Sequence, residues 1–176
     1  MATTESHLTE TQMRGVASEL LEAWNRHDID AILEHVHPDV VWTEPTLEAP
    51  AHGKEAVRAA LKNTFTAFPD LHVPAEDFEV YVDVKMQTAV STWTITGTMT
   101  GPLDTGVPAT GKSVRIRGAN QTRYRDGLLG EFTQYYDSYE LMHQMGLVPK
   151  ANGLGFKALV LADVVAGKAM KVLQRH

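Results

Sequence analysis

The chain has 176 residues, of which 43% are hydrophobic and 22% are charged, a composition typical of a globular protein with a sizeable core. Its net charge is −6 and it has no run of lysine or arginine, which argues against a nucleic-acid or membrane partner. Cysteine is absent, which excludes disulfides, thiolate metal sites and cysteine nucleophiles. The polar, acidic first residues and the lack of a long apolar run lead us to expect a cytoplasmic protein.

The first part of the chain reads as helices around one strand. Apolar residues recur at helical spacing, and Thr9 or Thr11 can cap the first helix. Pro38 stops the second helix, and Pro45 ends the strand that follows it. In chain order, the pattern predicts a helix over about 9–25, a short helix from 28, a strand over 40–44, a loop over 45–53 and a helix over 54–68.

From Leu71 onward the pattern is typical of β-structure, with valine, threonine, tyrosine and tryptophan in alternation. Asp126-Gly127 indicates a hairpin turn, and Asp137 indicates the start of a short helix with capping-box character. The pattern predicts strands near 71–84, 86–98, 113–125 and 128–136, then a helix to about 146 and a last helix over 154–173.

This order of elements predicts an α+β fold in which a curved antiparallel sheet wraps around helices and encloses a pocket. Alternation in the strand 113–125 places Asn120, Thr122 and Tyr124 on its apolar, inward face. The opposite face carries four arginines at 115, 117, 123 and 125. We expect this to be a solvated or dimer-forming face, with an anion site as the alternative.

Several short stretches, in this order and spacing, resemble the SnoaL-like polyketide cyclase family of the nuclear transport factor 2-like superfamily. They are Trp24-Asn25-Arg26-His27-Asp28, His37-Pro38-Asp39, Gly53-Lys54-Glu55-Ala56-Val57, Trp93-Thr94-Ile95-Thr96-Gly97-Thr98, Thr110-Gly111-Lys112, Asp126-Gly127, Tyr136-Asp137 and Gln144-Met145-Gly146. The resemblance implies a cone-shaped α+β barrel, in most members dimeric. It covers about 10–148, so we expect a SnoaL-like domain over 1–148. We expect a helical extension over 149–176 to pack on that domain or on a partner subunit.

Compared residue by residue, the resemblance implies that the catalytic residues of this chain differ from those of the family's enzymes. The aspartate of the aldol cyclases falls at Gln134, and their assisting residues fall at Gly118 and Asn120. The Arg–Asp–Asp set of the epoxide hydrolases is absent. The base of the ketosteroid isomerases matches Glu44, which precedes Pro45.

We therefore expect Glu44 to act as a general base, with Asn120 and Gln134 as hydrogen-bond donors to an oxyanion. Asp137 is an alternative acid, although a helix-capping role explains it better. The expected aromatic lining of the pocket, where substrate would bind, consists of Trp42, Trp93, Tyr124, Phe132 and Tyr136. We expect no metal and no cofactor, because no sequence motif for either is present.

The function expected from these residues is cofactor-independent enolisation of a hydrophobic, oxygenated molecule of polyketide or terpenoid type, leading to cyclisation or isomerisation. One alternative is a non-catalytic protein of the same fold that binds small molecules, and another is a cofactor-free hydroxylase. We expect a homodimer, since the last helix has too many apolar residues to stand free in water.

Overall fold

Helix α1 (Glu10–Asn25) begins after Thr9, one of the two caps predicted from the sequence. The Thr9 hydroxyl accepts a hydrogen bond from the Gln12 backbone N–H at 3.3 Å, and the Thr9 N–H donates to Gln12 Oε1 at 2.9 Å, which closes a capping box. The computed structural model describes residues 7–151, 153–158 and 160–162. Its helices are α1 (Glu10–Asn25), α2 (Ile29–Glu34), α3 (Gly53–Ala67) and α4 (Ser138–Gln144), with a 3₁₀ turn at Ala75–Asp77.

The strands form one six-stranded sheet that is curved and not closed. They are β1 (Val36–Thr43), β2 (Ala51–His52), β3 (Glu79–Asp83), β4 (Thr88–Thr98), β5 (Ser113–Arg125) and β6 (Leu128–Tyr136), in the spatial order β2-β1-β6-β5-β4-β3. The predicted α+β class is confirmed. The sheet is not wholly antiparallel as predicted, because β1 and β6 run parallel. Parallel neighbouring strands require a long connection, and here the chain between β1 and β6 contains α3 and the other strands of the sheet.

The first strand is longer than predicted. It begins at Val36 instead of residue 40, so Pro38 lies within it. The pairing with β6 is irregular between Val36 and Val41, and this break accommodates a residue that has no N–H to donate. The short strand β2 lies in a segment that was predicted to be loop.

The predicted strand over 71–84 is wrong in its first half. Pro74 lacks an N–H for the sheet, and the chain after it makes a 3₁₀ turn before β3 begins at Glu79. Before the proline, His72 makes a single bridge with Thr96. This irregular segment leaves the sheet and contributes Val73 and Phe78 to the interior.

The predicted turn and the predicted cap near the end of the sheet are confirmed. Asp126 and Gly127 have φ angles of 51° and 79° and connect β5 to β6 directly. Asp137 accepts a hydrogen bond from the Glu140 backbone N–H at 2.9 Å, so it caps α4. The capping role expected for Asp137 is therefore the one that the fold uses.

The core lies between the concave face of the sheet and helices α1, α2 and α3. Its fully buried members include Met13 of α1, Val57 of α3, and Val36, Val40 and Leu129 of the sheet. The convex face is largely exposed and carries charged pairs. Arg115 pairs with Asp77 at 3.1 Å and Arg123 with Glu131 at 3.9 Å, which fits the solvated face expected for the arginines.

The described part of the C-terminal segment is helical at 154–158 and 160–162. The Phe156 ring stands edge-on to Tyr139, with ring centroids 6.1 Å apart. Leu154 is 87% exposed and Leu161 is 65% exposed. The rest of the predicted helix to 173 lies outside the described residues, and the division at 148 stays a prediction. None of the described helices combines the length and apolar character that crossing a bilayer requires.

The end of α1 is tied to the segment that leads to β3 by two hydrogen bonds of one side chain. Asn25 Nδ2 donates to the Val73 carbonyl at 2.9 Å, and the Val73 N–H donates to Asn25 Oδ1 at 2.9 Å. His27 adds a contact between Nε2 and the Leu71 carbonyl at 2.8 Å. Together these bonds satisfy backbone groups that no strand pairs.

Replacing Asn25 by Ala should therefore lower the free energy of unfolding by about 1–3 kcal/mol, because two partly buried backbone groups lose their partner. Denaturant titration followed by circular dichroism measures the change. The matched control is Asn63→Ala, which removes a single exposed hydrogen bond to Asp104. An Asn25→Ala protein no less stable than the control would contradict this role.

Candidate functional site

A cavity lies between the helices and the concave face of the sheet. The space between atoms, including the part open to solvent, amounts to about 700 Å³. Helices α1 and α2 supply Ala17, Leu20, Leu21, Trp24 and Ile32, and the segment before β3 supplies Val73 and Phe78. The sheet supplies Trp42, Ser91, Trp93, Ile95, Asn120, Thr122, Tyr124, Leu129, Phe132 and Gln134.

Three polar side chains form a row across the sheet wall of this cavity. In the strand register, Ser91 of β4 lies opposite Asn120 of β5, and Asn120 lies opposite Gln134 of β6. Directly paired residues on neighbouring strands present their side chains on the same face. The polar row (Ser91, Asn120 and Gln134) therefore sets hydroxyl and amide groups side by side in a largely apolar cavity.

The Asn120 amide is oriented by a tryptophan. Trp93 Nε1 donates a hydrogen bond to Asn120 Oδ1 at 3.0 Å, so the Asn120 nitrogen keeps its two N–H donors. The Trp93 ring lies over Gly118, its partner on β5. A Cβ at Gly118 would meet Trp93 ring carbons at 2.5 and 2.6 Å and the Tyr135 carbonyl oxygen at 2.6 Å. Glycine at this position makes room for the ring.

Aromatic rings form the next row of the sheet wall. Trp42 stacks on Phe132, with ring centroids 3.7 Å apart and planes 20° apart, and the two residues are register partners on β1 and β6. Thr122 lies beside Phe132 on β5 and is buried. Tyr124 lies farther along β5, and burial raises the pKa of its hydroxyl to about 12.

Glu44 belongs to a second polar group at the end of β1. It follows Thr43, the last residue of β1, which pairs with Thr133 of β6. Glu44 therefore comes directly after this pair on one side, and Gln134 does so on the other. Burial raises the pKa of Glu44 above its ordinary value, and hydrogen bonds with Thr46 and Trp42 oppose that shift. Burial also raises the pKa of Tyr136 to about 12, and the nearby Glu44 charge adds to the rise.

The residues predicted from sequence are thus divided between the cavity and this adjacent group. Asn120 and Gln134 line the cavity, together with Trp42, Trp93, Tyr124 and Phe132. Glu44 and Tyr136 are not among the lining residues. They form the carboxylate group (Glu44, Thr46 and Tyr136), which touches the cavity wall through Trp42 and through the 6.3 Å ring contact of Tyr136 with Trp93.

Sequence reasoning missed the helix wall and part of the polar row. Ser91 had a usable signal, because strand alternation puts it on the same face as Trp93, which was expected to line the pocket. The signal for the helix wall was weaker. Apolar side chains at helical spacing, here Leu20, Leu21 and Trp24 of α1, indicate core packing and do not distinguish a cavity from a filled interior.

The family model of the SnoaL-like polyketide cyclases matches residues 15–145, more than half of the chain. The chain belongs to this family. The resemblance inferred from the sequence motifs is confirmed. The matched range runs from within α1 to the end of α4 and includes every residue of the cavity lining. A comparison with curated proteins found no match.

Solved structures give the same fold. AclR from Streptomyces galilaeus, provisionally described as a hydroxylase, is 22% identical with a TM-score of 0.68, over 96% of this chain and 99% of its own. TsrD from Streptomyces laurentii is 25% identical with a TM-score of 0.65, over 80% and 98%. A protein of Xanthomonas campestris pv. campestris, provisionally described as a polyketide cyclase, is 21% identical with a TM-score of 0.69, over 77% and 97%.

The close approach of Trp93 to Gly118 yields a stability prediction. Gly118→Ala should lower the free energy of unfolding by about 1–3 kcal/mol, because the added methyl group collides with both a packed ring and a backbone carbonyl. Thermal unfolding with near-ultraviolet circular dichroism follows both stability and the tryptophan environment. Gly15→Ala is the control. A Cβ there meets nothing within 4 Å, so a neutral or slightly stabilising effect is expected.

The raised pKa of Glu44 predicts how stability responds to its removal. The folded state favours the neutral acid, so the ionised carboxylate destabilises the fold at pH 7 and this penalty is lost as the pH falls through the raised pKa. Glu44→Gln should therefore be more stable than the unmodified chain at pH 7, and the advantage should shrink toward pH 4.5.

Urea unfolding at several pH values measures this difference. Glu131→Gln is the control, because Glu131 is exposed on the outer face of the same sheet. A stability advantage of Glu44→Gln that grows on acidification would show that the carboxylate is stabilised, not penalised, by its surroundings.

Proposed function

We propose that this SnoaL-like chain is a cofactor-independent enzyme that enolises a carbonyl compound, leading to cyclisation or isomerisation. The observation that carries the proposal is the arrangement of two groups. Amide and hydroxyl donors stand in register inside an apolar cavity, and a partly buried carboxylate lies at the end of the strand beside them. The substrate we propose is a hydrophobic, oxygenated molecule of polyketide or terpenoid type.

Asn120 and Gln134 would receive the substrate carbonyl. Because Trp93 occupies the Asn120 oxygen, the Asn120 nitrogen is left with N–H groups to donate to the cavity. Negative charge that develops on the carbonyl oxygen during enolisation is stabilised by donors that are already in position. The apolar side chains around the row strengthen this interaction because they exclude water.

Glu44 would act as the base that removes the proton next to the carbonyl. Its raised pKa makes the carboxylate a stronger base than an exposed glutamate. Hydrogen bonding with Thr46 and Trp42 lowers the pKa of Glu44 against the effect of burial, and Trp42 lines the cavity. Transfer of a proton from the substrate carbon to Glu44, while the donor row binds the carbonyl oxygen, requires no redox or group-transfer step, so we propose that the reaction proceeds without a cofactor.

The test uses 1-tetralone, an apolar bicyclic ketone with exchangeable protons beside its carbonyl. In deuterated buffer the protein should accelerate loss of the proton signal at carbon 2, followed by NMR, above the rate in buffer alone. Glu44→Gln should reduce that acceleration at least about 100-fold, the usual size of a general-base contribution. The acceleration should also fall as the pH is lowered through the raised pKa of Glu44, since only the ionised carboxylate accepts the proton.

Glu131→Gln again provides the matched control and should keep the exchange rate. Full acceleration in Glu44→Gln would exclude Glu44 as the base. Binding of 1-tetralone with no acceleration in the unmodified chain would reject enolisation of this ketone, and consumption of oxygen during turnover would point to the hydroxylase alternative.

A second candidate function is binding without catalysis. It is favoured by one observation, that the cavity lining contains no aspartate, glutamate or histidine among the described residues. Gln134 occupies the position where the resemblance places the aspartate of the aldol cyclases. Tight binding of 1-tetralone with no exchange, in both the unmodified chain and Glu44→Gln, is the result that would favour this candidate.

The expected homodimer also remains a proposal. The outer face of the sheet carries exposed aromatic residues, Tyr81 at 58% and Tyr135 at 53% exposure, among its charged pairs. Together with the exposed leucines of the C-terminal segment, this face is the surface that we propose for a second copy.

A further inference from the structure

We propose that the hydroxyl of Thr122 is a second hydrogen-bonding group of the cavity and that it selects ligands with a neutral oxygen apart from the carbonyl. The carbonyl binds the polar row, and the second oxygen lies farther along β5, toward the turn into β6. Thr122 is thereby a specificity-determining residue. This inference rests on the proposed function in one respect, namely that Asn120 and Gln134 receive a ligand carbonyl.

The first observation is that the Thr122 side chain faces the cavity. Thr122 lies on β5 two residues beyond Asn120, and strand alternation turns both side chains to the same face of the sheet. Both residues line the cavity. Since β5 has β4 and β6 as its neighbours, Thr122 lies in the interior of the sheet and not at its edge. A molecule that reaches this side chain must therefore come from the cavity.

The second observation is that the hydroxyl has no protein partner and yet can be reached. Among the described residues, none hydrogen-bonds with the Thr122 hydroxyl. The strand register explains this, because Ala89 of β4 and Phe132 of β6, its direct partners, have apolar side chains. In the described part of the chain, the Trp24 indole nitrogen is the only unpartnered buried side-chain atom that is closed to solvent. Thr122 is 7% exposed, so its hydroxyl is open to a molecule in the cavity.

The third observation is that the opposite wall offers this hydroxyl no partner and no charge. The helix wall consists largely of apolar side chains such as Leu20, Leu21 and Ile32. Among the described residues that line the cavity, none is an acid, a base or a histidine. A charged ligand group would be desolvated here without a counter-charge. The group that binds Thr122 is therefore a neutral hydroxyl or carbonyl, and the threonine hydroxyl can serve as donor or acceptor.

The spacing along β5 gives the shape of the ligand. Residues two positions apart on a strand are about 6.5 Å apart. This separation of Asn120 and Thr122 favours two oxygen atoms on different carbons over one oxygen shared by both groups. Beside Thr122, the ring of Phe132 stacks on Trp42 and supplies apolar surface. The ligand that satisfies these groups is an apolar ring system with oxygen atoms on opposite sides.

The test uses three bicyclic compounds of nearly equal shape: tetralin with no oxygen, 1-tetralone with one, and 4-hydroxy-1-tetralone with oxygen atoms on opposite sides of the ring. Dissociation constants are measured for the unmodified chain and for Thr122→Val, which removes the hydroxyl and keeps the branched shape. The variant should weaken binding of 4-hydroxy-1-tetralone about tenfold, the size expected for leaving a ligand oxygen unpaired. Its affinities for tetralin and 1-tetralone should change less than twofold.

Two further variants separate hydrogen bonding from shape. Thr122→Ser keeps the hydroxyl and loses the methyl group, so it should keep the preference for 4-hydroxy-1-tetralone over 1-tetralone. Thr94→Val is the matched control, because Thr94 is a buried threonine of β4 that lies outside the cavity lining. It should leave all three affinities unchanged.

Three results would overturn the role of Thr122. An unchanged affinity of Thr122→Val for 4-hydroxy-1-tetralone would show that the hydroxyl does not bind the second oxygen. An equal loss of affinity for all three compounds would show that only the shape of the side chain matters. A loss for 1-tetralone as large as that for 4-hydroxy-1-tetralone would show that Thr122 binds the carbonyl itself.

A second measurement uses the unmodified chain and does not depend on a variant folding. The Thr122 methyl group, assigned by NMR, should show a nuclear Overhauser contact with the proton on carbon 4 of bound 4-hydroxy-1-tetralone. Absence of this contact in the saturated complex would also overturn the proposal. Without ligand, Thr122→Val should unfold at no lower urea concentration than the unmodified chain, because the hydroxyl has no protein partner to lose.

These outcomes separate the inference from the proposed function. If the compounds bind but Thr122 is not involved, only the present inference fails, and carbon-2 exchange of 1-tetralone still decides the enolisation. If Thr122 responds as expected and no exchange occurs, its oxygen-binding role stands and the enzymatic proposal fails. If none of the three compounds binds, the cavity does not take such molecules, and both proposals are overturned.

Discussion

The register between β4, β5 and β6 is the constraint on which the site depends. It sets Ser91, Asn120 and Gln134 opposite one another, and the two-residue period of a strand turns all three toward the helices. A shift of one residue in either pairing would turn one member to the solvated face, among the arginines. The tight turn at Asp126-Gly127 sets the start of the β5–β6 pairing, even though that pairing is irregular between Arg123 and Tyr124.

The helix wall is positioned by different forces from the sheet wall. Helix α1 packs its apolar side on the sheet, but its end is set by the Asn25 bonds to Val73 and the contact of His27 with the Leu71 carbonyl. These directional bonds define the position of the chain more narrowly than apolar packing does. The segment they hold is the one that Pro74 excludes from the sheet, so an interruption of regular structure provides the anchoring point for the cavity.

Much of the fold followed from the sequence because local patterns and tertiary structure agree here. Alternation gave the inward face of β5, and the cap at Thr9 and the turn at Asp126-Gly127 were readable from residue type. The parallel pairing of β1 with β6 could not be predicted from residue type, since it joins segments far apart in the chain. The place of Glu44 was not readable either, because it lies one residue beyond its strand, where alternation no longer fixes direction.

The separation between the carboxylate and the cavity follows from the energetics of buried charge. A glutamate placed among the apolar side chains of the lining would be driven to its neutral form, because an isolated ion is strongly destabilised there. At the end of β1, Glu44 is partly buried and hydrogen-bonded with Thr46 and Trp42, so its pKa rises without the charge losing all of its partners. The cavity itself then contains only neutral donors and acceptors. This division keeps a basic carboxylate at the edge of an apolar site, and it makes Trp42, which touches both, the physical link between base and cavity.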